Sequence, residues 1–517
     1  MGAESILKKR ILTIFLICIS LLMCSCFSSN KSLNTESNEN NNDIQPMKPM
    51  NFDEKYQFYS ERYPNKNILV WVTDLGSPYE LELNDYLYEN NYDYIICFKT
   101  SLEGIEDESG NFISTNAEFV SKIIQNGEQI DILDSLALIN GMDVISNSYY
   151  NFINCSYFEP LDDYLKDEKY QDIIKSMPQK YWDSYKYNGK IYGVDNSFSS
   201  LYYDNGYKIS NEIFEKSDLT TDDFQKPLSE IEPTIKEVFE KTKKRMNFNF
   251  CYFTSDFFPA NYITEGIGIV NNKFVNIFEQ QEVKDFYKLL TSLESKGYAA
   301  IDSAVIDSTG IELTQASAAY GEIIKNNRWD KTSVFYKQNN YIHEPYKATG
   351  IYSGSKNKEQ AFDLLMNVFY NEDFNNIITY GIKGKQYEIE DGKVKMKLDE
   401  SNPYSQQYDI KCSVCIWYNN PMISLPCDES DTVIQKLDYY KAYENAEFLD
   451  GFGFFFDGTS IKDTYLKVMD TVESLKISGK DIDSYMKEFN KKLYDAGLQE
   501  VLDEANRQLE EFYEKNN

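Results

Sequence analysis

Apolar positions between residues 67 and 135 keep two rhythms in turn. Residues 67–74, NILVWVTD, form a short unbroken apolar run, the pattern of a strand covered on both faces. Ser77, Pro78 and Glu80 follow in the order of an N-cap, a first-turn proline and a capping-box acid, which predicts a helix through LELNDYLYEN. DYIICFKT at 93–100 predicts a second strand. NAEFVSKIIQNG at 116–127 predicts a helix with an asparagine cap and a glycine stop, and QIDILDS at 129–135 a third strand. Strand, helix, strand, helix, strand is the start of an open parallel α/β sheet with right-handed crossovers. Ligands of such sheets lie beyond the carboxyl ends of the strands. Asp74, Lys99 and Asp134 stand at those ends and are candidate ligand contacts, the alternative for each being a solvated loop charge or a helix cap. Trp71, inside its strand, is expected to pack.

The chain opens differently. Lys8, Lys9 and Arg10 precede an uncharged apolar stretch at 11–23, shorter than the roughly 20 residues a membrane span requires. Those dimensions are those of a signal-peptide core, with the small Ser25 directly before Cys26. The segment resembles the lipobox of bacterial lipoproteins, which implies cleavage after residue 25 and acylation of Cys26, with palmitate among the expected chains. Two or more acyl chains anchor firmly where one holds only marginally. Residues 28–50 are rich in Asn, Ser and Glu, cannot bury enough surface to fold, and are read as a tether extending to about residue 63.

The remaining body is too long for one ordinary core, so two lobes are expected. With 52 Lys and Arg against 83 Asp and Glu, the formal net charge of −31 disfavours nucleic acid and anionic lipid surfaces as partners. Cys412 and Cys415 have a CxxC spacing, but His343 is the single histidine and there is no second such pair. Alternating Cys412, Val414 and Ile416 suit a strand of packed thiols. A disulfide to Cys427 stays open, and no metal or cofactor is expected.

Several further stretches carry a resemblance in their order and spacing. They are FEPLDDYLKD at 158–167, YKYNGKIYGVDNSFSSLYYDNGYKI at 185–209, SKNKEQAFDLLMNVFYNEDFNNIITYGIKGKQYEIEDGKV at 355–394, GFFFD at 453–457 and the helical run at 484–515. Together they resemble the family 1 extracellular solute-binding lipoproteins of bacterial ABC transporters, in a subgroup with a C-terminal domain of unknown function. The sequence departs from the family pattern at Val194 and Asp195, at Lys383, and at Asp204, Asn205 and Gly206.

The resemblance implies a two-lobed, periplasmic-binding-protein-like α/β fold, each lobe built on a parallel-rich sheet, with a ligand cleft between the lobes and hinge crossovers joining them. The expected division is a signal peptide at 1–25, a lipid-anchored tether at 26–63, a first lobe at 64–160 plus 300–346, a second at 161–299 plus 347–480, and a C-terminal helical region at 481–517. It also implies a monomer on the extracytoplasmic face of the cell membrane that hands a small ligand, expected to be an oligosaccharide, to permease subunits without chemistry. The 42 Tyr and 32 Phe suit stacking on sugar rings. Tyr202, Tyr203, Trp329 and Trp417 are the aromatic candidates for the cleft, with packing the alternative for each tryptophan; Trp182 is expected in a core. Two other readings stand beside this one. A secreted carbohydrate-active enzyme would use a pair of cleft carboxylates, which no local motif marks, and a sensor system would use the same lobes without a permease.

Overall fold

The computed structural model describes residues 50–516 apart from 74–75, 101–104, 107–111, 114–115, 136–147, 195–202, 248–257, 259, 302–308, 318–322, 327–330, 338–340, 343–344, 346–347 and 398–442. Cys26, Asp74, Tyr202, Trp329, His343, Trp417 and the 412, 415 and 427 thiols lie outside the described residues.

Two large hydrophobic cores organise the described residues, with a small third cluster of Tyr79, Tyr380, Tyr387, Val394 and Met396 beside them. The first surrounds a four-stranded sheet in the order Thr349–Ile351, Ile132–Asp134, Asn67–Thr73, Tyr94–Thr100. The last three run parallel, Asn67 opposite Tyr94 and Trp71 opposite Ile132, whereas Thr349–Ile351 lies antiparallel with Thr349 opposite Asp134. Six of the seven residues of Asn67–Thr73 are buried, as its unbroken apolar run requires. Helices Glu80–Glu89 and Asn116–Gln125 supply the crossovers, the latter followed by Gly127 at φ +70°.

The capping box expected at Ser77 does not form. The helix begins at Glu80, and Ser77 Oγ donates to the Ile378 carbonyl at 2.7 Å and accepts from Tyr79 N at 3.1 Å. Glu80 accepts instead from Phe98 N at 3.1 Å and pairs with Lys55 at 3.0 Å. A buried carboxylate gains more from a cation and a strand-end amide than from closing its own helix turn.

Lys55 belongs to a helix at Phe52–Arg62, residues assigned to the tether from composition. Asn51 and Glu54 close a capping box there, and Tyr59 and Tyr63 are buried against the first core. Aromatic spacing of four residues makes one sticky helix face within a polar segment, so residues 52–62 pack as part of the first core.

The second core surrounds a six-stranded mixed sheet in the order Ala299–Ala300, Arg245–Asn247, Thr309–Ser317, Tyr203–Ser210, Lys331–Lys337, Ile323–Asn326, and a three-stranded meander at Tyr262–Thr264, Ile267–Val270 and Lys273–Asn276. Helices Lys462–Glu473, Ile482–Asp495 and Leu498–Asn516 complete it through Tyr465, Met486, Phe489, Val501 and Leu509. The meander is tied to them by side-chain amides. Asn506 accepts from Phe274 N at 2.8 Å and donates to Phe274 O at 3.0 Å. Residues 481–516 are therefore an integral part of the second core.

The cores divide the chain otherwise than the sequence suggested. Leu161, Trp182, Val194, Ile351 and Phe369 pack in the first, whereas Ile301, Ile311 and Val334 pack in the second. Which sheet a strand joins is settled by pairing partners hundreds of residues away, on which local periodicity is silent.

Candidate functional site

The described residues mark three crossings between the cores: from Val194 to Tyr207, from Val334 to Ile342, and from Ala446 to Phe454. The first two meet at the carboxyl end of Ile132–Asp134. Val194 and Thr349 exchange backbone hydrogen bonds at 2.8 and 2.9 Å, and Ser135 and Ala348 are joined by two more, Ser135 N to Ala348 O and Ala348 N to Ser135 Oγ, both 2.7 Å. Asp134 Oδ1 accepts from Trp71 Nε1 at 2.9 Å and from Thr349 Oγ1 at 2.6 Å. A single carboxylate thus ties the central strand, its neighbour and the returning crossover. Close approach depends on glycine. A Cβ on Gly193 would lie 2.9 Å from Ala348 Cβ, and one on Gly350 would lie 2.6 Å from Tyr192 O.

The third crossing is gripped from both sides. Glu447–Phe448 pairs parallel with Tyr341–Ile342, and Leu449 N donates to Ile342 O at 3.1 Å. In the GFGFFF run at 451–456, Phe452 and Phe455 pack against the first core while Phe454 and Phe456 enter the second. Asn261 Nδ2 donates to Asp450 O at 2.8 Å, and Gly451, at φ +75°, sits where a Cβ would be 2.2 Å from Ile269 Cδ1. Chain crossings with residues committed to both cores are the construction of a hinge.

Of the residues singled out from the sequence, Asp134 is buried in this knot, and Trp71 is buried beside it. Tyr203 begins the strand Tyr203–Ser210 on the second-core side of the first crossing, opposite Ser317. Lys99 pairs with Glu128 and lies 4.4 Å over the Phe52 ring. Trp182 packs in the first core, its indole donating to Ile174 O at 3.0 Å. The structure brings Asp134 and Trp71 together. Thr349, Ser135, Asn261 and Asp450 went unnoticed in the sequence; the glycine and phenylalanine alternation at 451–456 was the one local signal of the third crossing.

Residues 451–514 match the family described as "Domain of unknown function (DUF3502)", which starts within the third crossing. A relative from Streptococcus pneumoniae serotype 4, described as a carbohydrate ABC transporter substrate-binding protein, is 24% identical over 426 residues, covering 76% of this chain and 81% of the relative. The crystal structure of the N-glycan transport solute binding protein NgtS from Streptococcus pneumoniae superposes with a TM-score of 0.67 at 18% identity, covering 87% of this chain and all of that one. The fold is that of a two-lobed solute-binding protein. A second structure, an HMO binding ABC-transporter associated solute binding protein from Bifidobacterium longum infantis, aligns at a TM-score of 0.52 and 14% identity over 86% of this chain and 98% of its own. In this solute-binding fold each core is a lobe, and the knot at Asp134 lies where the lobes are joined.

Proposed function

We propose that this protein is the ligand-capturing subunit of a bacterial carbohydrate importer, closing its two lobes around an oligosaccharide and presenting it unaltered to a membrane permease. The observation that carries the reading is the paired cores joined by crossings, with Asp134 at the carboxyl end of the first-lobe sheet, where α/β folds hold ligands. The oligosaccharide-binding descriptions of the relatives support the choice of ligand class. Only a closed form touches ligand from both lobes, so ligand shifts the equilibrium toward closure.

In this reading Asp74, Tyr202, Tyr203, Trp329 and Trp417 meet the sugar. Asp134, engaged by Trp71 and Thr349, acts through the geometry of the crossings. Acylation at Cys26 holds the monomer at the outer face of the cell membrane and raises its concentration at the permease. Cys26→Ala releases the mature protein into the medium if this is right; unchanged membrane retention contradicts it.

The test of the binding function is a thermal-shift panel of oligosaccharides and peptides with small-angle scattering alongside. An oligosaccharide that raises the melting temperature and reduces the radius of gyration supports the reading. Release of reducing ends from the same panel, or stabilisation by peptides alone, overturns it.

A further inference from the structure

Away from the knot at Asp134, a groove of about 470 Å³ lies on the second lobe, between the helix Gln281–Ser295 and the helix Ile482–Asp495. It spans the start of the helix Gln281–Ser295. Glu279 precedes that helix, Lys284 stands in its first turn, and no side chain caps its N-terminus. The other wall is one face of Ile482–Asp495, whose lining residues Asp483, Lys487, Asn490 and Tyr494 recur at helical spacing.

The partners already assigned show what the groove lacks. Its acids are engaged: Tyr494 Oη donates to Glu279 at 3.2 Å, and Asp483 pairs with Lys288 at 2.7 Å. Lys491, on the same wall, pairs with Asp495. Lys284 and Lys487 have no ion pair among the described residues. Asn490 is 9% exposed, and its amide orientation is dictated from within. Phe278 N donates to Asn276 Oδ1 at 3.1 Å, so Asn276 offers its Nδ2, which donates to Asn490 Oδ1 at 3.1 Å. Asn490 Nδ2 is left with no partner among the described residues and lines the groove. The unspent groups lining the groove are two ammoniums and the amide donor of Asn490, and all of them favour an oxyanion.

We propose that this groove is a second binding site, distinct from the cleft, which takes a phosphate or carboxylate group of a small ligand and thereby gives the C-terminal domain a binding role. Lys284 and Lys487 neutralise the charge, and Asn490 Nδ2 fixes its orientation.

Amine-acylation footprinting read by mass spectrometry tests this on the mature wild-type protein at low ionic strength, with inorganic phosphate, glucuronate and neutral glucose as probes. Protection of Lys284 and Lys487 by phosphate or by glucuronate, but not by glucose, is expected, and the effective probe identifies the group. Protection should fade as added salt screens the site. No protection by either anion, or protection shared equally with the remote Lys236, overturns the site. The double variant Lys284→Gln, Lys487→Gln should keep its melting temperature and bind the effective anion about ten-fold more weakly; equal affinity also overturns it. Stabilisation by a cleft oligosaccharide should persist in that variant, so failure of this site and failure of the importer reading give different results.

Discussion

Trp71 Nε1 donates to Asp134 Oδ1 at 2.9 Å between adjacent parallel strands of the first lobe, and the same oxygen takes the Thr349 hydroxyl. Because Thr349 lies on the returning crossover, this contact couples lobe stability to lobe geometry. Asp134→Ala leaves a buried indole N–H and a buried hydroxyl without that acceptor. We expect a loss of about 2–4 kcal/mol from two stranded donors, read as a lower midpoint of denaturant unfolding. Thr349→Val, which removes one donor and keeps shape, should cost about 1 kcal/mol. Equal losses for the two would remove Asp134 from the centre of the knot.

Gly350→Ala and Gly189→Ala separate crowding from backbone strain. The first places a methyl 2.6 Å from Tyr192 O where φ is not positive, while the second meets nothing within 4 Å at φ +77°. Steric overlap between clamped strands should cost about 1–3 kcal/mol, against about 1 kcal/mol for the left-handed turn. Thermal unfolding compares them directly, and the reverse order would contradict the tight approach at the first crossing.

Ending the chain at residue 480 should prevent cooperative folding of the second lobe. Met486, Phe489, Leu493, Val501 and Leu509 are buried in its core, and each large apolar side chain removed costs about 2–5 kcal/mol, together exceeding the stability of an ordinary domain. Limited proteolysis would show degradation of residues 203–337 with the first lobe surviving. A soluble truncated chain with an intact second lobe would contradict the integral packing.

Acid should weaken the first lobe through Asp363. Burial by itself raises its carboxyl pKa, but hydrogen bonds from Lys169, Tyr94 and Tyr170 outweigh that and hold it below the ordinary value. A group depressed in the folded state stabilises above its unfolded pKa of about 3.9 and loses that contribution as pH falls through the folded value. Stability should therefore drop below about pH 4 in the native protein. Asp363→Asn should be less stable at neutral pH and show a shallower acid decline; parallel pH profiles would exclude Asp363 as a source.

Much of the first lobe was legible in the sequence because its signals are local. Apolar runs at 67–73 and 94–100 became strands covered on both faces, and Gly127 terminated its helix. Trp71 could be read as packed because a tryptophan inside such a run has no exposed face. The depth of Asp134 was not legible, since a strand-end aspartate looks the same whether solvated or holding an indole.

The sequence by itself determined the strand and helix rhythm, the acidic surface and the helical amphipathicity of 482–516, all of which depend on neighbours a few residues apart. Only the tertiary structure decided that residues 52–62 dock on the first lobe, that 349–351 pairs beside 132–134, and that the last helices complete the second core. It also drew Glu80 away from its capping box to Lys55 and Phe98 N. The physical reason is common to all of these. Pairing and burial are chosen among competing partners distant in the chain, and the strongest desolvated contact prevails over the local preference.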